Sequence, residues 1–433
     1  MTTLIAPEIN APDTDASAPS SGTGNVTPGR IPTLDLAKLG PEVAVHRLVD
    51  YAILLPASDL FIASNENEVE VSVRHLGVIQ PIAHLTSEVG RKLILHLKAA
   101  AGMDHQEKRR PQDGRWIYTG DGLATIDLRV SIIPTLHGED IALRILSRDR
   151  NLFTLDNIGM TDGQLVRFES MLSGPSGLIL ITGPTGSGKT ATLYAGLQRL
   201  NNGFRKINTI EDPIEFSIAG VRQSQVNPAL DLGFNDLLKS VLRQSPDVIM
   251  VGEIRDDETA DIAVRAANSG SLVLATIHSP VASAAVHSLR SLGVHPHFIA
   301  NSLRGVVSQR LIRTLCPQCK VVIDLSESPA TFDEVRPWLT PDEGRTLCAA
   351  RGCPACQMLG YQGRTGVFEV LPATQSIRSL IADGATTRAI REQALIDGML
   401  EFRLSALLKV ARGITSTEEV FRVIPPEHLL QED

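Results

Sequence analysis

The sequence predicts an α/β protein built on a parallel sheet that carries a phosphate-binding loop, and three observations support this. Short apolar runs recur: Leu178-Ile179-Leu180-Ile181, Ile207-Asn208-Thr209-Ile210, Asp247-Val248-Ile249-Met250-Val251 and Leu272-Val273-Leu274-Ala275-Thr276. Helical patterns separate them, notably Asp236 to Arg243 and Thr259 to Asn268. Apolar strands alternating with helices imply a parallel sheet covered on both faces. The first run leads into Gly183-Pro184-Thr185-Gly186-Ser187-Gly188-Lys189-Thr190, a G-x-x-x-x-G-K-[ST] match in a strand–loop–helix frame.

The chain has 433 residues, 43% of them hydrophobic, enough for several cores. Met1 to Arg30 is rich in Ala, Pro, Ser, Thr, Gly and Asp and lacks apolar periodicity, so residues 1–34 are expected to be a disordered tail. The tail has no cationic start and apolar stretch of a secretory signal. Residues 35–148 read as a small α/β module. Pro41 to Leu55 and Arg91 to Ala101 have helical spacing, while Glu68 to Val73 and Thr125 to Val130 alternate with a period of two. A linker is expected over 149–159 and the nucleotide-binding core over 160–314. A cysteine-bearing insertion follows over 315–365, then a mostly helical C-terminal subdomain over 366–433. No apolar run approaches the ~18 residues of a membrane-spanning helix, so any membrane role is expected to run through partners.

The glycine-rich loop has a direct chemical meaning. Gly183, Gly186 and Gly188 let backbone N–H groups wrap a phosphate at the N-terminus of the following helix. Lys189 can reach the β and γ oxygens, and Thr190 can offer its hydroxyl to Mg²⁺. The nucleotide-binding set is therefore Gly183, Pro184, Thr185, Gly186, Ser187, Gly188, Lys189, Thr190 and Ala191, and the ligand is a nucleoside triphosphate. Ligands of such sheets gather at the carboxyl ends of the strands. Glu211, Asp212 and Glu215 follow one run, Glu253, Arg255 and Asp256 another, and His278 a third. Two carboxylate clusters and a histidine around a lysine-bearing loop supply the metal-holding and water-orienting groups of phosphoryl transfer to water.

Of five cysteines, four form C-x-x-C pairs, Cys316 with Cys319 and Cys353 with Cys356. Each pair carries Pro after its first Cys. Such pairs supply four soft ligands at the spacing of a structural Zn²⁺ site, with a redox pair as the alternative; Cys348 is left over as a free thiol. A formal charge of −8 argues against a general polyanion surface, leaving room for a local basic channel, and 4% aromatic residues offer no base-stacking platform.

Several segments also resemble a known family. Thr209 to Glu215 looks like the acidic box of the type II secretion and type IV pilus assembly ATPases, the GspE/PilB family, and Arg243 to Asp256 resembles its Walker B segment. Gln309-Arg310-Leu311-Ile312-Arg313, Gly363 to Glu369, Ala57 to Leu60 and Arg110 to Arg115 are similar as well, so the ordered motifs span about residues 40 to 424. The resemblance implies a homohexameric motor with a RecA-like core that hydrolyses ATP with Mg²⁺. It implies a cytoplasmic location, peripheral to the inner membrane, through a polytopic platform protein and cytoplasmic assembly components, with no nucleic-acid partner. Arg129 and Arg144 match family arginines that approach the phosphates. Glu211 is assigned to orienting the attacking water and Glu253 to the Mg²⁺ shell, roles that can be exchanged.

Departures from the family pattern are Ser271 in place of a histidine, Lys239 in place of an arginine and Phe61 in place of a histidine. Ser271 and Lys239 motivate a second reading, a nucleotide-binding assembly subunit with little turnover. A nucleic-acid translocase is a third. The fibre served, a secretion pseudopilus, a type IV pilus or a DNA-uptake fibre, stays open.

Overall fold

A computed structural model of the chain describes residues 31–429 apart from 32, 37, 121–124 and 147–153. The expected tail up to residue 30 and the first part of the expected linker lie outside the described residues.

The N-terminal module opens with helix α1 (Pro41–Leu54), started by proline in its first turn. Strands β1 (Ala57–Ser64), β2 (Glu68–His75) and β3 (Val78–Thr86) follow, then α2 (Ser87–Ala100), whose N-cap Thr86 accepts from the Val89 N–H. Strands β4 (Gln112–Tyr118), β5 (Ile126–Thr135) and β6 (Gly138–Leu146) complete an antiparallel sheet of order β3-β2-β1-β6-β5-β4. The inward residues Leu60, Val71, Val130 and Leu143 pack with Val45 and Leu48 of α1 and Leu93 and Leu97 of α2 in one core.

The core domain starts with α3 (Asp162–Leu172), closed at its N-terminus by a capping box between Thr161 and Gln164. Then come β7 (Gly177–Thr182), α4 (Lys189–Leu200), β8 (Ile207–Glu211), β9 (Arg222–Gln225) and α5 (Phe234–Leu242). After them run β10 (Val248–Val251), α6 (Asp257–Asn268), β11 (Leu272–Ile277), α7 (Ala284–Ser291) and α8 (Pro296–Ser302). Two long strands, β12 (Leu303–Leu315) and β15 (Tyr361–Pro372), finish the sheet, whose order is β15-β12-β7-β11-β10-β8-β9. Every pair is parallel except β12 with β15, which run antiparallel. All residues of β7, β10 and β11 are buried, as a doubly covered sheet requires.

Between β12 and β15 lies a small lobe with the two-stranded pair β13 (Val321–Asp324) and β14 (Thr346–Ala349). Tyr361 to Thr365, expected within the cysteine insertion, instead pair with Ile312 to Leu315 in the central sheet. The C-terminal part is helical: α9 (Gln375–Ala382), α10 (Thr387–Ile396), α11 (Phe402–Ala411) and α12 (Thr417–Val423). Most of the lobe's large apolar side chains pack into neighbouring cores. Its Phe332 and Val335 pack with Phe402, Leu408 and Val420, and Leu359 joins the core of the N-terminal module.

Candidate active site

β7 ends at Thr182 and α4 begins at Lys189, so Gly183 to Gly188 form the turn at the carboxyl edge of the sheet. Gly183 and Gly188 have φ of +142° and +89°. A Cβ on Gly183 would lie 2.4 Å from the Gln309 carbonyl, so close approach of β12 requires glycine there. The Gln309 side chain, 1% exposed, donates to the Ser187 carbonyl at 2.7 Å and ties the loop to β12. Lys189 Nζ donates to the carbonyls of Gly183 at 2.8 Å and Pro184 at 3.2 Å. Burial lowers the Lys189 pKa, Glu253 opposes that shift and Arg310 adds to it.

The strand-end carboxylates occupy two different environments. Glu211, 3% exposed, closes β8 with both oxygens engaged. Thr209 Oγ1 at 2.5 Å and Gln223 Nε2 at 3.0 Å donate to its Oε1, and the Tyr194 hydroxyl of α4 donates to its Oε2. Burial first, and then Glu211, push the Tyr194 pKa up, so the phenol keeps its proton. Glu253 is more open and pairs with His278 Nε2 through one oxygen and with Arg255 Nε, 2.6 Å away, through the other. Of the two, Glu253 is the carboxylate that acts on the charge of Lys189. His278 follows the last residue of β11, and Ser288 Oγ donates to its carbonyl at 3.1 Å.

Arg129 and Arg144 lie on the N-terminal module. Neighbouring strands place Arg115, Arg129, Arg144, Asp59 and Arg74 in one cross-strand row. Arg115 is held by Asp127, and Asp59 lies 3.3 Å from both Arg144 and Arg74. The Glu215 pKa is raised by burial and pulled back by Arg129 and then Arg144, so these arginines act across the module boundary on the acidic segment after β8.

The four Sγ atoms of Cys316, Cys319, Cys353 and Cys356 lie within 4.8 Å of one another. Three Sγ–Sγ separations are 3.8–3.9 Å. Thiolates ~2.3 Å from one tetrahedral zinc ion stand about 3.8 Å apart, so the donor set fits. Cys356 Sγ also accepts the N–H of Gly360 at 3.1 Å and of Cys353 at 3.2 Å, which fixes its place in the set. Cys348 stands outside this set, buried beside Leu315 and Tyr361.

The two departures that favoured low turnover sit elsewhere. The Ser271 carbonyl accepts the N–H of Gly177 at 3.1 Å, at the strand edge opposite the loop. The six residues of β7 at about 3.3 Å each separate it from Gly183 by roughly 20 Å. Lys239 pairs with Glu258 across the exposed faces of α5 and α6. Residue-by-residue reading missed Tyr194, Gln223 and Gln309. Only the spacing of Tyr194, one turn into the helix after Lys189, hinted at a role.

A mononucleotide-binding sheet with a lysine-bearing loop, a strand-end carboxylate and a facing histidine defines a P-loop nucleoside-triphosphatase. The profile of the family described as "Type II/IV secretion system protein" matches residues 37–422, and the chain belongs to that family. It is 43% identical over 380 residues to the type II secretion system ATPase E of Vibrio cholerae, covering 88% of this chain and 74% of that protein. It is 39% identical over 387 residues to the type IV pilus assembly ATPase PilB of Thermus thermophilus, covering 89% of this chain and 43% of that one. In fold it is similar to the Legionella pneumophila ATPase DotB, with a TM-score of 0.65, 20% identity and coverage of 90% and 98%. The pilus retraction motor PilT is a second structural neighbour, with a TM-score of 0.58, 24% identity and coverage of 87% and 96%. The chain is an ATPase of the secretion and pilus-assembly family.

Proposed function

We propose that this chain works as a homohexameric motor at the cytoplasmic face of the inner membrane, where ATP hydrolysis drives assembly of a pilus or pseudopilus. Its partners are a polytopic platform protein and cytoplasmic assembly components, a reading that membership of the type II/IV secretion family supports. The observation that carries the reading is the convergence of Lys189, Glu253 and His278 at adjacent strand ends, with Arg129 and Arg144 acting on the same acidic edge.

Residue roles follow from the surroundings. Gly183 to Ala191 hold the phosphates, and Lys189 stabilises charge on the β and γ oxygens. Thr190 and Glu253 are the groups to hold Mg²⁺, which when bound neutralises phosphate charge. The exchangeable assignment of the two glutamates is better read with Glu253 as the acting carboxylate, since it faces Lys189 and His278. Glu211, with both oxygens bonded, then braces α4 against β8. Cys316, Cys319, Cys353 and Cys356 are assigned to structural zinc, which would fix their two loops together.

A binding subunit with little turnover loses support, because Ser271 and Lys239 have partners away from the loop. Mass measurement of the purified chain with a non-hydrolysable ATP analogue tests the ring. Fibre formation and secretion in a strain lacking this gene, restored by wild type but not by Lys189→Ala, test the motor. A chain that stays monomeric, or a strain that assembles every fibre without it, would overturn the reading.

A further inference from the structure

Glu369 of β15 is 4% exposed and stands in register opposite Ser308. Its Oε2 accepts the N–H of Ala282 at 2.9 Å, and its Oε1 accepts the N–H of Phe402 at 3.2 Å. Ala282 lies in the loop that follows His278, whereas Phe402 opens α11, whose N-cap Glu401 makes no side-chain capping bond. One carboxyl group therefore satisfies donors from two distant segments, one of them at the N-terminus of α11. The same junction is braced a second time. Arg310, 5% exposed, donates to the Pro280 carbonyl at 2.7 Å, and its guanidinium carbon lies 4.9 Å from the centre of the Phe402 ring. Burial raises the Glu369 pKa to about 7; the Ala282 and Phe402 N–H groups and Arg310 oppose the rise, and Glu401 adds to it.

We propose that Glu369 is a positioning residue for ATP hydrolysis, fastening the loop that carries His278, and with it the His278–Glu253 pair, to α11 of the C-terminal subdomain. The proposal rests on the assignment of His278 and Glu253 to the site. Movement of the C-terminal helices is transmitted along this link to the carboxylate facing Lys189. The phosphate loop does not depend on it, because Gln309 holds Ser187 from β12. Loss of the link therefore slows turnover and leaves nucleotide binding in place.

Glu369→Gln keeps the volume but turns an amide NH₂ toward one of the two backbone donors, leaving that donor unbonded. In the purified full-length enzyme, kcat should fall at least about tenfold while the Kd for a fluorescent ATP analogue stays within about twofold. The deciding measurement is a cycle with His278→Ala. If Glu369 acts through the His278 loop, the double variant is no slower than the slower single variant. Multiplying losses, an unchanged kcat in Glu369→Gln, or a Kd that weakens in step with kcat each overturn the proposal. Should Glu369→Gln fail to fold, Glu369→Asp, too short to reach both donors, enters the same cycle. An unchanged kcat in His278→Ala overturns the His278 assignment, and this proposal with it. A His278 effect that simply multiplies with that of Glu369 overturns this proposal alone.

Discussion

Arg129 and Arg144 stand directly opposite each other across β5 and β6, a like-charge pair in adjacent strands. Like charges so placed destabilise a sheet. Of the two, only Arg144 has Asp59 beside it, a carboxylate it shares with Arg74, and Arg129 makes no ion pair among the described residues. Such a pair is poised for an anion brought from outside its own module. Either Arg129→Ala or Arg144→Ala should cut ATP hydrolysis by at least about tenfold, roughly 1.4 kcal/mol at the barrier. The planar fork of arginine suits phosphate oxygens, and a contact made mainly in the transition state lowers kcat more than affinity. Melting temperature without nucleotide should hold or rise slightly. A large stability loss with intact turnover per folded molecule would show that the arginines only brace their sheet.

Glu253 and Glu211 should respond differently to the same chemical change. Lys189→Ala and Glu253→Gln should each abolish phosphate release in a steady-state assay, because both groups lie where phosphate charge is handled. Glu211→Gln should nearly abolish it too, but with a lower melting temperature, since Tyr194, Thr209 and Gln223 all donate to this buried carboxylate. Tyr194→Phe should reproduce part of that stability loss. If Glu211→Gln melts as wild type does, the bracing role is wrong and the water-orienting assignment regains its place.

How far the sequence could be read depended on where each residue finds its partner. The strands β7, β8, β10 and β11 are short and apolar because the sheet is covered on both faces, so their pattern is visible in one dimension. β12 and β15 run through Arg304, Gln309, Arg310, Arg313 and Glu369, which interrupt any apolar pattern. These side chains are buried or half-buried because each finds a tertiary partner: Arg304 the Met171 carbonyl, Arg313 the Glu419 carboxylate. The strand-end rule located Glu211, Glu253 and His278. It could not tell which carboxylate faces the lysine, because the Tyr194–Glu211 bond depends on the packing of α4 on β8. The row from Arg115 to Arg74 was equally hidden, since strand register joins residues far apart in the chain.

The cysteine lobe should contain about one zinc per chain, because four thiolates at these separations close a tetrahedral site. Metal analysis of protein purified without chelators checks this. Cys353→Ser should lower the zinc content and Cys348→Ser should not, because Cys348 packs with Leu315 and Tyr361 outside the set. Zinc removal should also loosen the N-terminal module, since Leu359, three residues after Cys356, is buried in that module's core. Faster proteolysis of the N-terminal module after chelation would register that loosening. Absence of metal from fresh protein would remove the assignment.

Lys409 supplies a prediction in pH. It is 6% exposed on α11 and donates to the Gly159 carbonyl at 2.8 Å and to Thr365 Oγ1 at 3.4 Å. Burial, with Arg412 adding to it, lowers its pKa from 10.5 to about 8. The folded state thus releases this proton more readily than the unfolded state. Between pH 8 and 10.5 the unfolded chain binds more protons than the folded one, so this group makes stability rise with pH across that window. Below pH 8 both states carry the proton and its contribution is flat. The gain across the window is at most about 3 kcal/mol. Lys409→Met lacks the titration, so the stability difference, wild type minus variant, should move toward wild type from pH 8 to pH 10 in urea unfolding. A difference that stays constant over that range would show that the ammonium is solvated in the folded protein and that its burial has no electrostatic consequence.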